Sequence, residues 1–442
     1  MTAKKLPSLK TLEKACTSSN FQIGNQNVLL TSPSPEAAIA SAIISHAISR
    51  TGALFHISFS QPVVPIETIN ALKEKFESSS IILVGIDALG KQRIKKGKGY
   101  PLFIGGTSEL EQVNSLTLGT DSTVTAAGYV FAQSLIDLND YNLQFAAAGA
   151  LLNSGMNESQ KGANKDIIDL AQNKGLIEER KGFKLFGVTM LPLDEALLYS
   201  THPYLATISG DQKVCDAILN EAEIPIPKLR TPLGNLSTAE AQRLTSVLIT
   251  RLDTTVFSRL MGPDNILTLE RETSPIRIVS GIETMAKTAW AQNEPGALIG
   301  VLLGDRGRAL RSLIDSQMEY HKAVIATVQR LESNLQGDST TTTTTVKLTG
   351  CKSEILPEVG RIALESGIVD TIRPLALDND EVFTIVWPSS ELNYKMVHRD
   401  FLSTNTMIIT SSPQSITITG NDEEKEFALQ KIVQLNKGVG KK

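Results

Sequence analysis

The stretch Val28 to Ala40, VLLTSPSPEAAIA, joins an apolar run to an alanine-rich segment through serines and prolines. The run Asn27 to Thr31 has the short, uninterrupted apolar character of a buried strand. The segment Glu36 to Arg50 predicts a helix, because Ser34 can cap it and Pro35 suits its first turn. A buried strand followed at once by a helix of this kind indicates the opening of an α/β fold.

Strand and helix patterns keep alternating through residue 160. Further strands are predicted at Ala53–Phe59, Ile81–Val84 and Leu102–Ile104, and helices at Ile66–Glu77, Ser122–Leu135 and Leu143–Leu152. Helices of this length between strands imply crossover connections. The predicted fold class is therefore α/β, with a mostly parallel sheet in the N-terminal domain.

The remainder of the chain divides into a helical stretch and a small mixed α/β region. Residues 166–335 are mainly helical in pattern and end in a long helix from Arg308 to Leu335. Six threonines, Thr340 to Thr345, follow as a linker or a strand. Beyond them, strands are predicted at Val346–Thr349, Val382–Val386 and Ile416–Thr419, and helices at Leu356–Ser366 and Asp422–Gln434. The predicted domains are residues 1–200, 201–336 and 346–442.

The composition excludes several classes of protein. Hydrophobic residues make up 41% and charged residues 20% of the 442 residues, which is ordinary for a globular domain. No apolar run has the length of a membrane span and the N-terminus has no signal-peptide core, so we expect a cytoplasmic protein without membrane contact. A net charge of −4 means that any nucleic-acid contact depends on a local basic patch. The three cysteines are widely spaced and form neither a zinc pattern nor a disulfide framework.

Several short motifs, in order along the chain, resemble the RecJ-like DHH phosphoesterases. The stretch from Val28 to Ala40 resembles the family's opening strand, loop and helix, whose loop reads SHIDADG. LFIGGTS at Leu102–Ser108 is similar to the strand that ends in the family's Asp-His-His, and AGALLN at Ala148–Asn153 resembles its VGAIGD. Gly175–Glu178 and Ser200–Tyr204 resemble an archaeal RecJ-like subgroup that associates with GINS.

The resemblance implies a site for two divalent cations, manganese or magnesium, but most of the ligand positions are changed. Two such ions need several carboxylates, with histidines completing the shells. The family's ligands fall on Ser32, Ser34, Glu36, Gly105, Gly106, Thr107 and Asn153, and a further strand end falls on Gly85 or Val84, with Asp87 displaced by two or three positions. Glu36 is the one acid kept at a matched position. We therefore expect no metal cofactor and no catalysis; the alternative is a relocated metal site that uses His46 and His56.

Two groups of basic residues are candidates for contact with single-stranded DNA or an acidic partner. One is a loop run of Lys91, Arg93, Lys95, Lys96 and Lys98, although such runs are also common in solvated loops. The other resembles the family's phosphate-contacting segment: Tyr394–Arg399 keeps Lys395 and Arg399, and we expect its His398 in a strand. The family's glycine-rich GGGH motif is replaced around Ile409–Ser415, which argues against a retained grip on substrate.

The leading hypothesis from the resemblance is a non-catalytic replication factor of archaeal type. It would be nucleoid-associated and would act as a scaffold that binds GINS and the MCM helicase at the fork. The alternative is a divergent metal-dependent phosphoesterase or single-strand exonuclease that acts on DNA, RNA or oligonucleotides through Glu36 and Asp87. A third hypothesis is a nucleic-acid-binding regulator without GINS, whose binding would depend on Lys91, Lys95 and Lys96.

Overall fold

The structure, a computed structural model, describes most of the chain. The described residues are 7–18, 21–90, 94, 100–106, 116–118, 123–152, 161–336, 345–369, 372–388, 392, 394–401, 407–412 and 414–439. They form two compact units. The first comprises residues 1–180, 265–271 and 276–314, and the second comprises residues 181–264, 272–275 and 315–442.

The helices and strands follow one another in this order over the first 183 residues: α1 (Leu9–Ser18), β1 (Gln26–Thr31), α2 (Pro35–Arg50), β2 (Leu54–Phe59), β3 (Val63–Pro65), α3 (Ile66–Lys75), β4 (Ser80–Val84), β5 (Asp87–Leu89), β6 (Leu102–Ile104), β7 (Leu116–Leu118), α4 (Val124–Gln133), α5 (Asp140–Leu152), α6 (Gly162–Asn173) and β8 (Ile177–Phe183).

The rest of the chain continues with α7 (Leu193–Leu198), α8 (Gln212–Glu221), α9 (Ile226–Leu229), α10 (Thr238–Arg251), α11 (Thr254–Leu260), β9 (Met261–Leu267), α12 (Val279–Ala291), α13 (Pro295–Leu302), α14 (Arg308–Gln336), β10 (Thr345–Lys347), α15 (Leu356–Glu365), β11 (Leu375–Asp378), β12 (Phe383–Val386), α16 (Tyr394–Phe401), β13 (Met407–Ser412), β14 (Ser415–Thr419) and α17 (Asp422–Val439).

A five-stranded sheet organises the first unit, in the order β2-β1-β4-β6-β7, with every neighbouring pair parallel. The predicted parallel α/β sheet is therefore confirmed. Its central strands are buried along almost their whole length, as expected for strands covered by helices on both faces. In register, Thr31 lies beside Val84, Val84 beside Ile104, and Ile104 beside Leu118, so these strands end along one edge.

Small residues let the helices of the first unit pack closely. Helix α2 is buried around its whole circumference from Ala37 to Ile48, as is usual for a core helix. A Cβ added at Gly128 in α4 would lie only 2.8 Å from Ala40 Cβ in α2, so this contact requires glycine. As predicted, Ser34 caps α2: its hydroxyl accepts a hydrogen bond from Ala37 N–H at 3.1 Å.

The second unit contains a mixed five-stranded sheet in the order β10-β11-β12-β14-β13. Strands β10 and β11 are parallel, whereas the other pairs are antiparallel. Its core includes Trp387, whose indole N–H donates to Leu392 O at 2.8 Å. The small mixed α/β region predicted after the threonine run is confirmed in its strands and helices.

The stretch predicted as mainly helical is mainly helical, but it also contains β8 and β9, which were missed because they lack an alternating apolar pattern: in β8 only Ile177 and Phe183 are buried. One prediction of secondary structure was wrong. His398 was expected in a strand but lies in helix α16, where Val397, His398 and Phe401 are buried at one- and three-residue spacings that suit one helix face. None of the described helices is both long and apolar enough to span a bilayer.

Candidate functional site

The residues that follow the parallel strands of the first unit form a row along the sheet's carboxyl edge. Ser32 N–H donates to Val84 O at 3.0 Å, Gly85 N–H to Ile104 O at 2.8 Å, and Gly105 N–H to Leu118 O at 2.8 Å. The row therefore brings together three of the positions matched to metal ligands: Ser32, Gly85 and Gly105. Ligands of open α/β sheets commonly bind at this edge.

Close packing fills the space that ligand side chains would need. A Cβ at Gly85 would lie 2.5 Å from Ser32 Oγ and 3.2 Å from Ala37 Cβ, and its φ of +68° is strained for any other residue. A Cβ at Gly105, where φ is +73°, would collide with the side chain and backbone of Val124. A Cβ at Gly106 would overlap the backbone carbonyl of Ile86. An aspartate or histidine does not fit at these three positions in this backbone.

The loop between β1 and α2 supplies hydroxyls instead of charges. Ser32 is buried, with 3% of its surface exposed, and its carbonyl accepts a hydrogen bond from Ser34 N–H at 2.9 Å. The Ser34 hydroxyl is engaged as the helix cap. At the strand end, Thr31 Oγ1 shares a buried hydrogen bond of 2.7 Å with Ser41 Oγ. These neutral groups bring no negative charge to offset the charge of a dication.

Glu36, the retained acid, is the second residue of α2 and is half-buried. Burial raises the pKa of its carboxyl to about 7. Hydrogen bonds from its own backbone N–H and from Ser34 lower the pKa but do not cancel the effect of burial. The charge of Glu283 raises the pKa further, and Lys287 opposes it. Glu283 and Lys287 form an exposed ion pair of 2.8 Å on α12. The sequence shows that Glu283 and Lys287 are four residues apart on a helix, but it does not show that they lie near Glu36, and this was not predicted.

Asp87, the displaced acid, begins β5 and pairs in register with Val63 of β3. It is half-buried, and its backbone N–H donates to Pro62 O at 2.9 Å. It thus follows the row at Gly85 by two residues and belongs to a separate two-stranded sheet. Thr107 and Asn153, the last two matched positions, lie outside the described residues.

The two histidines considered for a relocated site occupy different elements of the first unit. His46 lies in α2, where burial and then Arg50 lower its pKa. His56 lies in β2, is exposed, and stacks on Phe76 with ring centroids 6.0 Å apart. Within the part of the chain that the structure describes, no group of three or more His, Cys, Asp or Glu residues could hold a metal ion. The described residues of this site therefore do not fit a pair of dications.

The basic candidates are only partly described. The five residues Lys91, Arg93, Lys95, Lys96 and Lys98 lie outside the described residues, although Ile94 between them is buried in the first unit's core. Lys395 lies in α16 with only its backbone described, and Arg399 is exposed on the same helix in the second unit. Their contact with nucleic acid or a partner stays a prediction.

Comparison with known proteins gives a similarity of structure but not of sequence. No protein-family model and no curated protein sequence matches the chain. Among solved structures, CDC45 from Entamoeba histolytica matches with a TM-score of 0.57 and 10% identity, covering 97% of each chain. The chain has the fold of CDC45. RecJ from Thermus thermophilus, in complex with Mn2+, matches with a TM-score of 0.48 and 11% identity, over 99% of this chain and 55% of RecJ.

The similarity to CDC45 is a similarity of fold. It extends over both units, so the CDC45-like fold includes the helical middle of the chain and the small C-terminal sheet. At 10% identity the likeness concerns the fold alone. The function must therefore be argued from the carboxyl edge of the sheet.

Replacing Glu36 with glutamine should stabilise the first unit in a pH-dependent way. The pKa of the Glu36 carboxyl is about 7 in the folded protein and 4.5 in the unfolded chain. The free energy of unfolding therefore falls as the pH rises from 4.5 through 7, because ionising the carboxyl is less favourable in the folded state. Glu36→Gln removes this loss, so we expect a gain of about 1–3 kcal/mol at pH 8.5 that shrinks toward zero at pH 4.5. Urea unfolding of both proteins across this pH range measures the difference.

Glu67→Gln is the matched control for this change. Glu67 is likewise the second residue of a helix in the first unit, α3, but is exposed. We expect this substitution to change stability by less than about 0.5 kcal/mol at either pH. A Glu36→Gln gain that does not depend on pH would contradict the raised pKa.

Proposed function

We propose that this chain is a non-catalytic RecJ-like replication factor, a scaffold that binds GINS and the MCM helicase at the fork. The observation that carries the proposal is the closed row at the sheet's carboxyl edge. Neighbouring atoms occupy the space in which side chains would lie at Gly85, Gly105 and Gly106. No room is left there for the metal ligands that a phosphoesterase needs. A fold that keeps its architecture without its catalytic groups suits an assembly role.

The partners come from the resemblance in sequence to the archaeal GINS-associated subgroup, and the likeness of fold to CDC45 supports a role in a replication-fork complex. The test is co-purification of the full chain with GINS and MCM proteins from the organism that encodes it. We expect a stable complex at micromolar concentration. No complex with either partner under these conditions would overturn the scaffold proposal.

The rival function is a divergent phosphoesterase, and it makes the opposite prediction about metal. A nuclease assay with manganese or magnesium on single-stranded DNA, RNA and short oligonucleotides separates the two. We expect no metal-dependent cleavage above background, because the described residues near Glu36 and Asp87 cannot hold two dications. Cleavage that requires manganese and disappears in Glu36→Ala would establish the rival instead.

The same protein preparation tests nucleic-acid binding without GINS. If Lys91, Lys95 and Lys96 contact phosphates, affinity for single-stranded DNA falls steeply with salt, and neutralising them reduces the slope. Such binding, combined with failure to form a GINS complex, would favour a nucleic-acid-binding regulator over the scaffold.

A further inference from the structure

Strand β2 leaves one edge of the parallel sheet open. It is the terminal strand in the sheet order, and no described residue pairs with its outer side. Leu54 N–H donates to Asn25 O at 2.9 Å and Ser60 N–H to Thr31 O at 3.1 Å, so the even-numbered residues face β1. By the alternation of a strand, Phe55, Ile57 and Phe59 direct their backbone N–H and C=O groups to the open edge.

The sequence of this edge lacks the charges and prolines that normally prevent pairing between edges. Residues 53–60, ALFHISFS, contain no acid, lysine, arginine or proline. Leu54 is 65% exposed and Phe55 37% exposed. Edge strands of monomeric proteins usually carry charges or prolines, or are short or covered. Four of the six residues of β2 are apolar, and within the described part of the chain no strand pairs with its outer side, so this edge is complementary to another extended strand.

The spacing of the side chains makes β2 complementary to itself. In an antiparallel pair with a two-fold axis at Ile57, Phe55 lies opposite Phe59 of the second copy, and Ile57 opposite Ile57. By symmetry Phe59 lies opposite Phe55 of the second copy, and these three pairs are hydrogen-bonded pairs, each exchanging two N–H···O bonds. The side chains of Phe55, Ile57 and Phe59 lie on one face of the sheet. On this face Ile57 and Phe59 pack against the core of the first unit, and the rings of Phe59 and Trp290 meet edge to face with centroids 5.0 Å apart. Aromatic and branched cross-strand pairs stabilise a sheet.

We propose that two copies of this chain associate through β2, joining their parallel sheets by one antiparallel strand pair. The occupant of the edge is a second copy because the uncharged strand pairs with itself without any like-charge contact and matches aromatic with aromatic residues. A two-fold interface of this kind is closed and limits the assembly to a dimer at this edge.

The dimer fixes a distance that can be measured. Leu54 of one copy lies opposite Ser60 of the other, so the two Leu54 residues are six strand positions apart, about 20 Å at the rise of a strand. Nitroxide labels at Leu54→Cys, in a full-length chain whose partly exposed Cys351 is serine, report this distance by double electron–electron resonance. We expect a peak at about 20 Å, broadened by the label linkers, and a dimer mass by light scattering at micromolar concentration.

Two variants separate this edge from other contacts. Phe55→Pro removes an outward N–H while leaving the bonds to β1, and Phe55→Lys keeps the backbone but removes both aromatic pairs. We expect each to abolish the peak and to weaken dimerisation at least tenfold, whereas Leu54→Ser, on the opposite face, keeps the dimer. A monomer at all concentrations, a dimer without the peak, or a dimer that survives Phe55→Lys would each overturn the proposal, even if Phe55→Pro fails to fold.

Discussion

Gly106→Ala is expected to lower the free energy of unfolding of the first unit by about 3 kcal/mol or more, an effect at the upper end for a single added methyl group. The added Cβ would overlap the backbone carbonyl of Ile86 and would lie 3.0 Å from the backbone nitrogen of Ile86. The clash is therefore with backbone atoms, and no side-chain rotation can relieve it. Thermal or urea unfolding of the full chain, followed by intrinsic fluorescence and circular dichroism, measures the loss. A protein too unstable to be purified in soluble form would be the extreme of the same result.

Gly296→Ala is the matched control in the same unit. Gly296 is exposed in α13, and a Cβ there would meet no atom within 4 Å. Alanine in a solvent-facing helical position should be neutral or stabilise by up to about 1 kcal/mol. If both substitutions were equally mild, the carboxyl edge would have room for side chains, and the steric argument against a metal site would fail.

The same reasoning predicts that rebuilding the family's Asp-His-His at Gly105, Gly106 and Thr107 would not restore a metal centre. The first two side chains would have to displace Val124 and the Ile86 backbone before any ion could bind. The structure therefore gives the motif loss a physical meaning. Gly105 and Gly106 lack metal-ligand side chains, and neighbouring atoms also occupy the space that such side chains would need. Restoring a metal site therefore requires changes at several residues together.

The sequence could locate this edge because strand ends are local features. The apolar run to Thr31, the Ser34 cap and the short strand before Gly105 were all predicted within one or two residues, since each depends on neighbours in the chain. The position at the end of β4 stayed open between Val84 and Gly85; in the structure β4 ends at Val84 and Gly85 follows it.

The atoms that occupy the space at the carboxyl edge of the parallel sheet could not be predicted from the sequence. The contacts of Gly105 with Val124 and of Gly106 with Ile86 join separate segments, and no pattern within one segment encodes them. The raised pKa of Glu36 has the same origin, because burial and the charge of Glu283 depend on tertiary packing. Strands β8 and β9 were missed for a different reason: their polar or proline-containing sequences give no period of two.

Ser200–Tyr204, the stretch with a specific resemblance to the archaeal subgroup, has a structural role in the second unit. Ser200 Oγ donates to Pro203 O at 2.6 Å across a cis His202–Pro203 peptide, and Ser209 Oγ donates to Ser200 O at 2.8 Å. Thr201 Oγ1 is 2.9 Å from Nδ1 of the buried His321 in α14. The segment is thus joined to a helix far along the chain.

Arg361 on α15 completes this arrangement. Its side chain is 17% exposed and donates to Thr201 O at 2.9 Å. It also forms a two-point ion pair with Glu358, at 2.9 and 2.7 Å, and a third contact of 2.5 Å with Glu365. A planar guanidinium is the side chain that can make these contacts at once. Its removal would take one donor away from Glu358, Glu365 and the Thr201 carbonyl, whereas the contact of Glu365 with Arg259 would remain.

Arg361→Ala should therefore destabilise the second unit by about 3–5 kcal/mol, the usual cost of removing one partner of a buried ion pair. Arg259→Ala is the matched control, because Arg259 binds the same Glu365 at 2.7 Å but is 47% exposed; its loss should cost less than about 1 kcal/mol. Arg361→Lys should recover only part of the stability, since an ammonium cannot form the two-point contact with Glu358. Urea unfolding of the three variants measures the series. Equal costs for Arg361→Ala and Arg259→Ala would show that burial of Arg361, and with it the role assigned to the Thr201 carbonyl, contributes nothing to the stability of this unit.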